Sequence, residues 1–275
     1  MTMSAVPPPR VLSIAGTDPT GGAGIQADLK SIAAHRGYGM AVVTALVAQN
    51  TCGVRSVHLP PASFLTAQLE AVSDDVTVDA VKIGMLAETD QVQAVAEWLA
   101  TVAPPVVVLD PVIVATSGDR LLSREAEGAL EDLIPQVHLI TPNVPELAVL
   151  SSTSPADSWE ELLGQAHEIA DRYGVAVLAK GGHLPGDTVY DTVIGPVAGE
   201  DDAVVVDSPR IRTSNTHGTG CSLSAAMATL RPQRESWDAA LEEAKRWLTA
   251  GIEAGRELHV GRGHGPVHHF VDLWT

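Results

Sequence analysis

Residues 11–50 read VLSIAGTDPTGGAGIQADLKSIAAHRGYGMAVVTALVAQN, and this stretch decides the fold. VLSIA (11–15) is a short apolar run, the pattern of a buried strand. TDPTGG breaks it, because Asp, Pro and Gly each punctuate a chain. In AGIQADLKSIAAHRG, Ile25, Leu29, Ile32 and Ala33 recur at helical spacing, and Gly37 ends the run. MAVVTALVAQN (40–50) is a second buried strand.

The same alternation runs outward along the chain. VRSVHL (54–59) alternates like a more exposed strand. PASFLTAQLEAVSDD is helical, with Phe64, Leu65, Leu69 and Val72 on one face. AVKIGM (80–85) is a strand followed by the helix TDQVQAVAEWLATV. PVVVLDPV (105–112) precedes SREAEGALEDLIPQ, and HLITPN (138–143) precedes PELAVL. SWEELLGQAHEIADRYG is a helix ended by Gly174, before the strand VAVLAKGG (175–182). VYDTVIGP and AVVVDSPRI read as a hairpin-like pair. GTGCSLSAAMATL and WDAALEEAKRWLTAGIEAGREL are the last long helices. Apolar strands alternating with helices predict an α/β fold, a mostly parallel sheet with helices on both faces. Residues 11–275 are expected to form one domain behind a loose, proline-bearing tail, 1–10. In such sheets ligands bind beyond the carboxyl ends of the strands.

Composition narrows the function classes. Of 275 residues, 45% are hydrophobic but only 4% aromatic, so the core is aliphatic. With 17 basic and 34 acidic residues the formal charge is −17, which leaves no basic footprint for nucleic acid. An anionic substrate must then be held by local devices: backbone N–H groups, a metal, a few placed Lys or Arg. Two cysteines, Cys52 and Cys221, make no disulfide framework and fit a reducing cytoplasm. MTMSAVPPPR lacks a basic and apolar leader pattern, and AVVTALVA is too short to span a bilayer. The expectation is a soluble, cytoplasmic protein without membrane or nucleic-acid partners.

Five stretches carry chemistry. AGTDPTGGAGIQAD (15–28) brings backbone close to a ligand, yet has neither the dinucleotide spacing nor a Walker lysine. TPNVPEL (141–147) sets Asn143 and Glu146 three apart, as Mg²⁺ ligands or as a helix cap. Asp110 in LDPV ends an apolar strand, where a carboxylate needs a partner, a metal or water. Lys180 in AKGGH is a phosphate contact or a surface lysine. Gly218, Thr219 and Gly220 open a helix whose Leu223, Met227 and Leu230 keep helical spacing; their N–H groups suit a phosphoryl group. Cys221 follows, as base, nucleophile, pocket wall or simply a small buried residue. His264 and His268 have the spacing of a helical metal pair, but Gly265 and Pro266 forbid a regular helix, so a loop is expected.

In their order and near-even coverage, these stretches resemble the hydroxymethylpyrimidine/phosphomethylpyrimidine kinases, within the ribokinase-like superfamily. The resemblance rests on VLSIAGTDPTGGAGIQADLKS, TALVAQNTCGV, KIGMLAETD, VVLDPV, LITPNVPE, LAKGGH, NTHGTGCSLSA and GPVHHF. It implies a ribokinase-like fold and ATP-dependent phosphorylation of 4-amino-5-hydroxymethyl-2-methylpyrimidine, then of its monophosphate, for thiamine. It implies a pyrimidine pocket of Gly16, Val47, Gln49, Met85, Val112 and Cys221, with Gln49 reading the amino and ring-nitrogen edge. It implies Lys180 and the Gly218–Gly220 turn on the nucleotide side, with Mg²⁺ near Asp110, Asn143 and Glu146. Superfamily members usually carry Asp where Cys221 stands, so the proton acceptor is open; a thiol at a helix start can have a lowered pKa. The family analogy also suggests a homodimer. Loops after LAETD or in LDPVIVATSG are expected to close over substrate. The main alternative is a pyridoxine/pyridoxal kinase. A hydrolase using Cys221 and His217 leaves Lys180 and the glycine turn unexplained.

Overall fold

The computed structural model describes residues 7–113, 123–196 and 204–274. Nine strands form one sheet in the order β3-β2-β1-β4-β5-β6-β7-β8-β9. They are β1 (Arg10–Gly16), β2 (Tyr38–Asn50), β3 (Gly53–His58), β4 (Ala80–Ile83), β5 (Val107–Leu109), β6 (Leu139–Ile140), β7 (Ala176–Lys180), β8 (Thr188–Ile194) and β9 (Val206–Pro209). The six strands from β2 to β7 run parallel; β3, β8 and β9 add antiparallel edges. This is the expected mostly parallel sheet, and the last two strands pair as read from the sequence.

Helices cover both faces. α1 (Gly24–Ala34), α7 (Thr219–Leu230) and α8 (Trp237–Ala254) pack on one. α2 (Ala62–Ser73), α3 (Thr89–Val102), α4 (Arg124–Leu133), α5 (Val144–Ser151) and α6 (Trp159–Tyr173) pack on the other. Alternate strand residues feed the two cores: Leu12 and Ile14 of β1 join one, Val11 the other.

Some boundaries moved. Arg10, read as tail, is the first residue of β1, and its guanidinium donates to Asp79 Oδ1 at 2.7 Å. The strand expected over 105–112 is only Val107–Leu109, since Pro105 and Pro111 lack the N–H a ladder needs. The segment 259–274 is irregular, as Gly265 and Pro266 require; His264 is exposed, while His268 and His269 are buried. The loop expected to close within LDPVIVATSG falls mostly outside the described residues.

One polar group breaks the apolar pattern of the sheet. Ser13 and Lys82 are register partners on β1 and β4, and both face α1. There Asp28 Oδ2 accepts from Ser13 Oγ at 2.6 Å and from Lys82 Nζ at 3.0 Å. All three residues are fully buried. Burial disfavours the Lys82 ammonium, but the adjacent Asp28 outweighs it and holds Lys82 above the ordinary lysine value. A buried pair of this kind is expensive to break and cheap to replace whole. Lys82→Met should therefore lose about 3–5 kcal/mol in urea unfolding, and the double variant Asp28→Leu/Lys82→Met should recover most of that. A double variant as unstable as the sum of its parts would contradict this account.

Candidate active site

The parallel strands deliver their carboxyl ends to one edge of the sheet. Gly16 ends β1, Gln49 lies at the end of β2, Met85 follows β4, Asp110 follows β5, Asn143 follows β6 and Lys180 ends β7. Every site residue named from the sequence lines one cavity of about 680 Å³: Gly16, Val47, Gln49, Met85, Asp110, Val112, Asn143, Glu146, Lys180, Gly218, Thr219, Gly220 and Cys221.

At one end the cavity is apolar and closely fitted. A Cβ on Gly16 would stand 3.3 Å from Met85 Sδ and 3.4 Å from Ala45 Cβ, so a side chain there would press on this wall. Thr44 Oγ1 donates to the Met85 carbonyl at 2.7 Å, and Val47 N–H donates to Thr17 Oγ1 at 3.0 Å. A register shift between Ala48 and Gln49 interrupts the β2–β3 ladder, where a bulge re-aims a side chain.

The middle of the cavity carries charge. Asp110 is buried; its Oδ1 accepts from Thr141 Oγ1 at 3.0 Å and lies 3.9 Å from Lys180 Nζ. A Cβ on Gly220 would lie 3.7 Å from Asp110 Oδ2 and 3.9 Å from Lys180 Nζ. The glycine turn therefore faces both groups. Asn143 forms a capping box for α5: its Oδ1 accepts from Glu146 N–H at 2.9 Å, and its own N–H donates to Glu146 Oε2 at 2.8 Å. The cap reading of this pair is thus real, and it fixes Glu146 beside Asp110. Burial, then the Asp110 carboxylate, push Glu146 up to about 7, while Lys180 pulls the other way.

The turn itself depends on glycine. Gly218 has φ +78° and caps α7, and a Cβ there would lie 1.7 Å from the Gly22 carbonyl oxygen. The free N–H groups of the first turn of α7 then open toward Lys180 and Asp110. Cys221 sits in this first turn, but its thiol is not activated. Burial pushes it up to about 11, against the pull of Lys82 and of a backbone N–H from Gly24. The lowered value expected of a thiol at a helix start is overridden by desolvation. His217 does not serve the thiol either: its Nε2 lies 2.8 Å from Asp18 Oδ2.

Several lining residues went unread in the sequence. Lys82 was visible as a charge inside an apolar strand, a costly placement that signals a purpose. His183, Arg210, Asp191 and Lys245 line the far end. Arg210 is held by the carbonyls of Gly182, Leu184 and Gly186, and Lys245 by Asp191 Oδ2 at 2.5 Å. Nothing in the spacing of these residues distinguishes them from surface charges. Among the described residues, no cluster of three or more His, Cys, Asp and Glu could hold a metal, and no helix is long and apolar enough to cross a membrane.

Fold and cavity together define the class: a ribokinase-like fold whose one cavity sets the Gly218–Gly220 turn beside an apolar pocket and the charged residues Lys180, Arg210 and Lys245. The profile of phosphomethylpyrimidine kinase matches residues 18–268, and the chain belongs to that family. It is 52% identical over 264 residues to the hydroxymethylpyrimidine/phosphomethylpyrimidine kinase of Salmonella typhimurium, covering 96% of this chain and 98% of that one. It is 54% identical over 263 residues to the thiamine biosynthesis multifunctional protein of Corynebacterium efficiens; that match covers 96% of this chain but 35% of the longer protein. The chain thus spans about a third of the length of that relative. Among solved structures, a Staphylococcus aureus pyridoxal kinase in complex with AMP-PCP superposes with a TM-score of 0.85 at 29% identity, covering 95% of this chain and 93% of that one.

The raised thiol value gives a direct expectation. With Cys52→Ala leaving Cys221 as the single thiol, the rate of iodoacetamide alkylation should climb about tenfold per pH unit from pH 7 to 9 without levelling, because the thiolate is the reacting form. A plateau near pH 7 would show an activated thiolate instead.

Proposed function

We propose that this chain transfers the γ-phosphoryl group of ATP to the hydroxymethyl group of 4-amino-5-hydroxymethyl-2-methylpyrimidine, and then to the resulting monophosphate, in thiamine biosynthesis. One observation carries the reading: an apolar pocket ending in Gln49 shares a cavity with the Gly218–Gly220 turn, Lys180 and two facing carboxylates. Family membership selects the pyrimidine.

In this reading Gly16, Val47, Met85, Val112 and Cys221 sandwich the heterocycle, and Gln49 offers both a donor and an acceptor to its amino and ring-nitrogen edge. The N–H groups of the Gly218–Gly220 turn gather charge on the transferring phosphoryl, and Lys180 balances it from the other side. A loose transition state asks for positioning and charge neutralisation more than for a strong base. A neutral Cys221 thiol meets that demand as a wall of the pocket. Asp110 and Glu146 suit Mg²⁺: burial, then the neighbouring Asp110 carboxylate, raise Glu146, a strain a divalent cation would relieve, and Asn143 holds Glu146 in place. Mg²⁺, when held there, would supply positive charge against the phosphates. The far end, with Arg210, His183 and Lys245, is left for the nucleotide.

Three broader points belong to the same proposal. The unbroken sheet from β3 to β9 supports a single domain. Free Cys52 and Cys221 suit a reducing cytoplasm. The exposed Leu46 and Val57 leave apolar side chains on both faces of the β2–β3 edge, which supports a homodimer through that edge. A second reading, pyridoxal kinase, draws on the structural likeness above.

Product analysis with ATP, Mg²⁺ and the free pyrimidine alcohol separates the two. Monophosphate should appear first and diphosphate follow, with pyridoxal turned over far more slowly. Faster phosphorylation of pyridoxal would reverse the assignment. In the same assay Cys221→Ala should stay within about tenfold of the parent kcat, whereas Lys180→Met should lose at least about a hundredfold.

A further inference from the structure

We propose that His217 is a positioning residue. It locks the phosphoryl turn, the β1–α1 loop and the segment 261–266 into one collar, which fixes the distance between the acceptor pocket and the transferring phosphoryl group. The inference rests on the kinase reading above and adds a residue and a segment that it does not use.

His217 lines the cavity, and its ring is hydrogen-bonded to the β1–α1 loop. Its Nε2 lies 2.8 Å from Asp18 Oδ2. Asp18 is fully buried and organises the whole β1–α1 loop: Oδ2 also accepts from Gly22 N–H at 3.1 Å and Ala23 N–H at 2.8 Å, and Oδ1 from Thr20 N–H at 2.9 Å and Thr20 Oγ1 at 2.7 Å. Burial opposes ionisation of Asp18, yet the bonds from His217 and Thr20 outweigh it and hold the carboxyl well below the usual range. It is a carboxylate acceptor throughout the working pH range, and His217 Nε2–H is the donor.

The backbone of His217 makes the second tie. Its N–H donates to the Gly265 carbonyl at 3.0 Å, and the residue forms a parallel bridge with Pro266. The third tie is steric. A Cβ on Gly22 would lie 2.6 Å from His217 Cδ2 and 3.0 Å from Pro266 Cβ, and one on Gly218 would overlap the Gly22 carbonyl. Three segments therefore meet at His217 in contact too close for any side chain.

The segment 261–266 continues to the opposite wall. Thr51 Oγ1 accepts from Arg262 N–H at 3.2 Å and Gly263 N–H at 3.1 Å, and the Thr51 carbonyl accepts from His264 N–H at 2.9 Å. A Cβ on Gly263 would lie 2.0 Å from that carbonyl oxygen. Thr51 stands two residues beyond Gln49. The run GRGHGP thus spans from the tip that carries the pyrimidine reader to the residue before the phosphoryl turn. This run, which begins the stretch holding His264 and His268, is a spacer whose glycines let it lie against both walls.

When little covalent help is needed, geometry sets the rate, and a misplacement of about 1 Å can cost about a hundredfold. His217→Ala should lower kcat about a hundredfold for the first phosphorylation, with KM for ATP and for the pyrimidine each within about threefold of the parent. His217→Gln, whose amide N–H can still reach Asp18, should regain most of the loss. Thr51→Val, which removes the acceptor at the other end, should lower kcat as well. Hydrogen exchange should rise across residues 18–24 and 261–266 in His217→Ala and stay near the parent level in His217→Gln. Full kcat in His217→Ala, equal damage in Ala and Gln, or unchanged exchange would overturn the proposal. If the parent enzyme prefers pyridoxal, the same kcat comparison on that substrate and the exchange readout still decide it, so failure of the substrate assignment is seen separately.

Discussion

A single buried ion pair anchors the working half of this molecule. Lys82 of β4 and Ser13 of β1 meet across the parallel ladder, and Asp28 of α1 accepts from both. Because the side-chain period of a strand is two, a register slip of one residue would turn Lys82 into the opposite, aliphatic core. The pair therefore specifies the alignment of β1 with β4 more than it adds stability, the role buried ions best serve. That alignment places Gly16 against Met85, and it puts a fixed positive charge in the wall beside Cys221 and Asp110.

This local charge matters because the protein as a whole is strongly acidic. At a formal charge of −17 the long-range field opposes a nucleotide, so attraction must be created within the cavity. Lys180, Lys82, Lys245 and Arg210 converge there with the start of α7. Two of these lysines are held by buried carboxylates, which fixes where they point. The cavity is thus a prearranged polar environment enclosed by apolar layers, where placed charges act more strongly than they would in water.

Much of this was readable from residue order. Apolar strands alternating with amphipathic helices specified the layered fold, and each motif lay where a strand gives way to a loop. That positional logic brought Asp110, Asn143, Lys180 and the Gly218–Gly220 turn to one place. What stayed hidden depends on contacts between residues far apart in the chain. Asp18 looks like a turn former and His217 like a loop polar residue; their hydrogen bond joins positions 199 residues apart. Lys245 follows helical spacing that reads as a solvated face, yet it points inward to Asp191. The state of the thiol stayed open for a related reason. A helix start lowers a cysteine pKa and desolvation raises it, and a string of letters reveals the first but not the depth of burial.

The reach of the segment 261–266 has a consequence for how the molecule comes into being. Its contacts with Thr51 and His217 join the second strand to residues made after every helix of the described chain. During synthesis the sheet and most helices can assemble while the cavity rim is still missing. Such distant pairings are the slow part of folding, since loop closure must precede the contacts that reward it. A nascent chain that ends before Gly261 can pair its strands while the cavity rim, and the Val267 contribution to one core, are still to come.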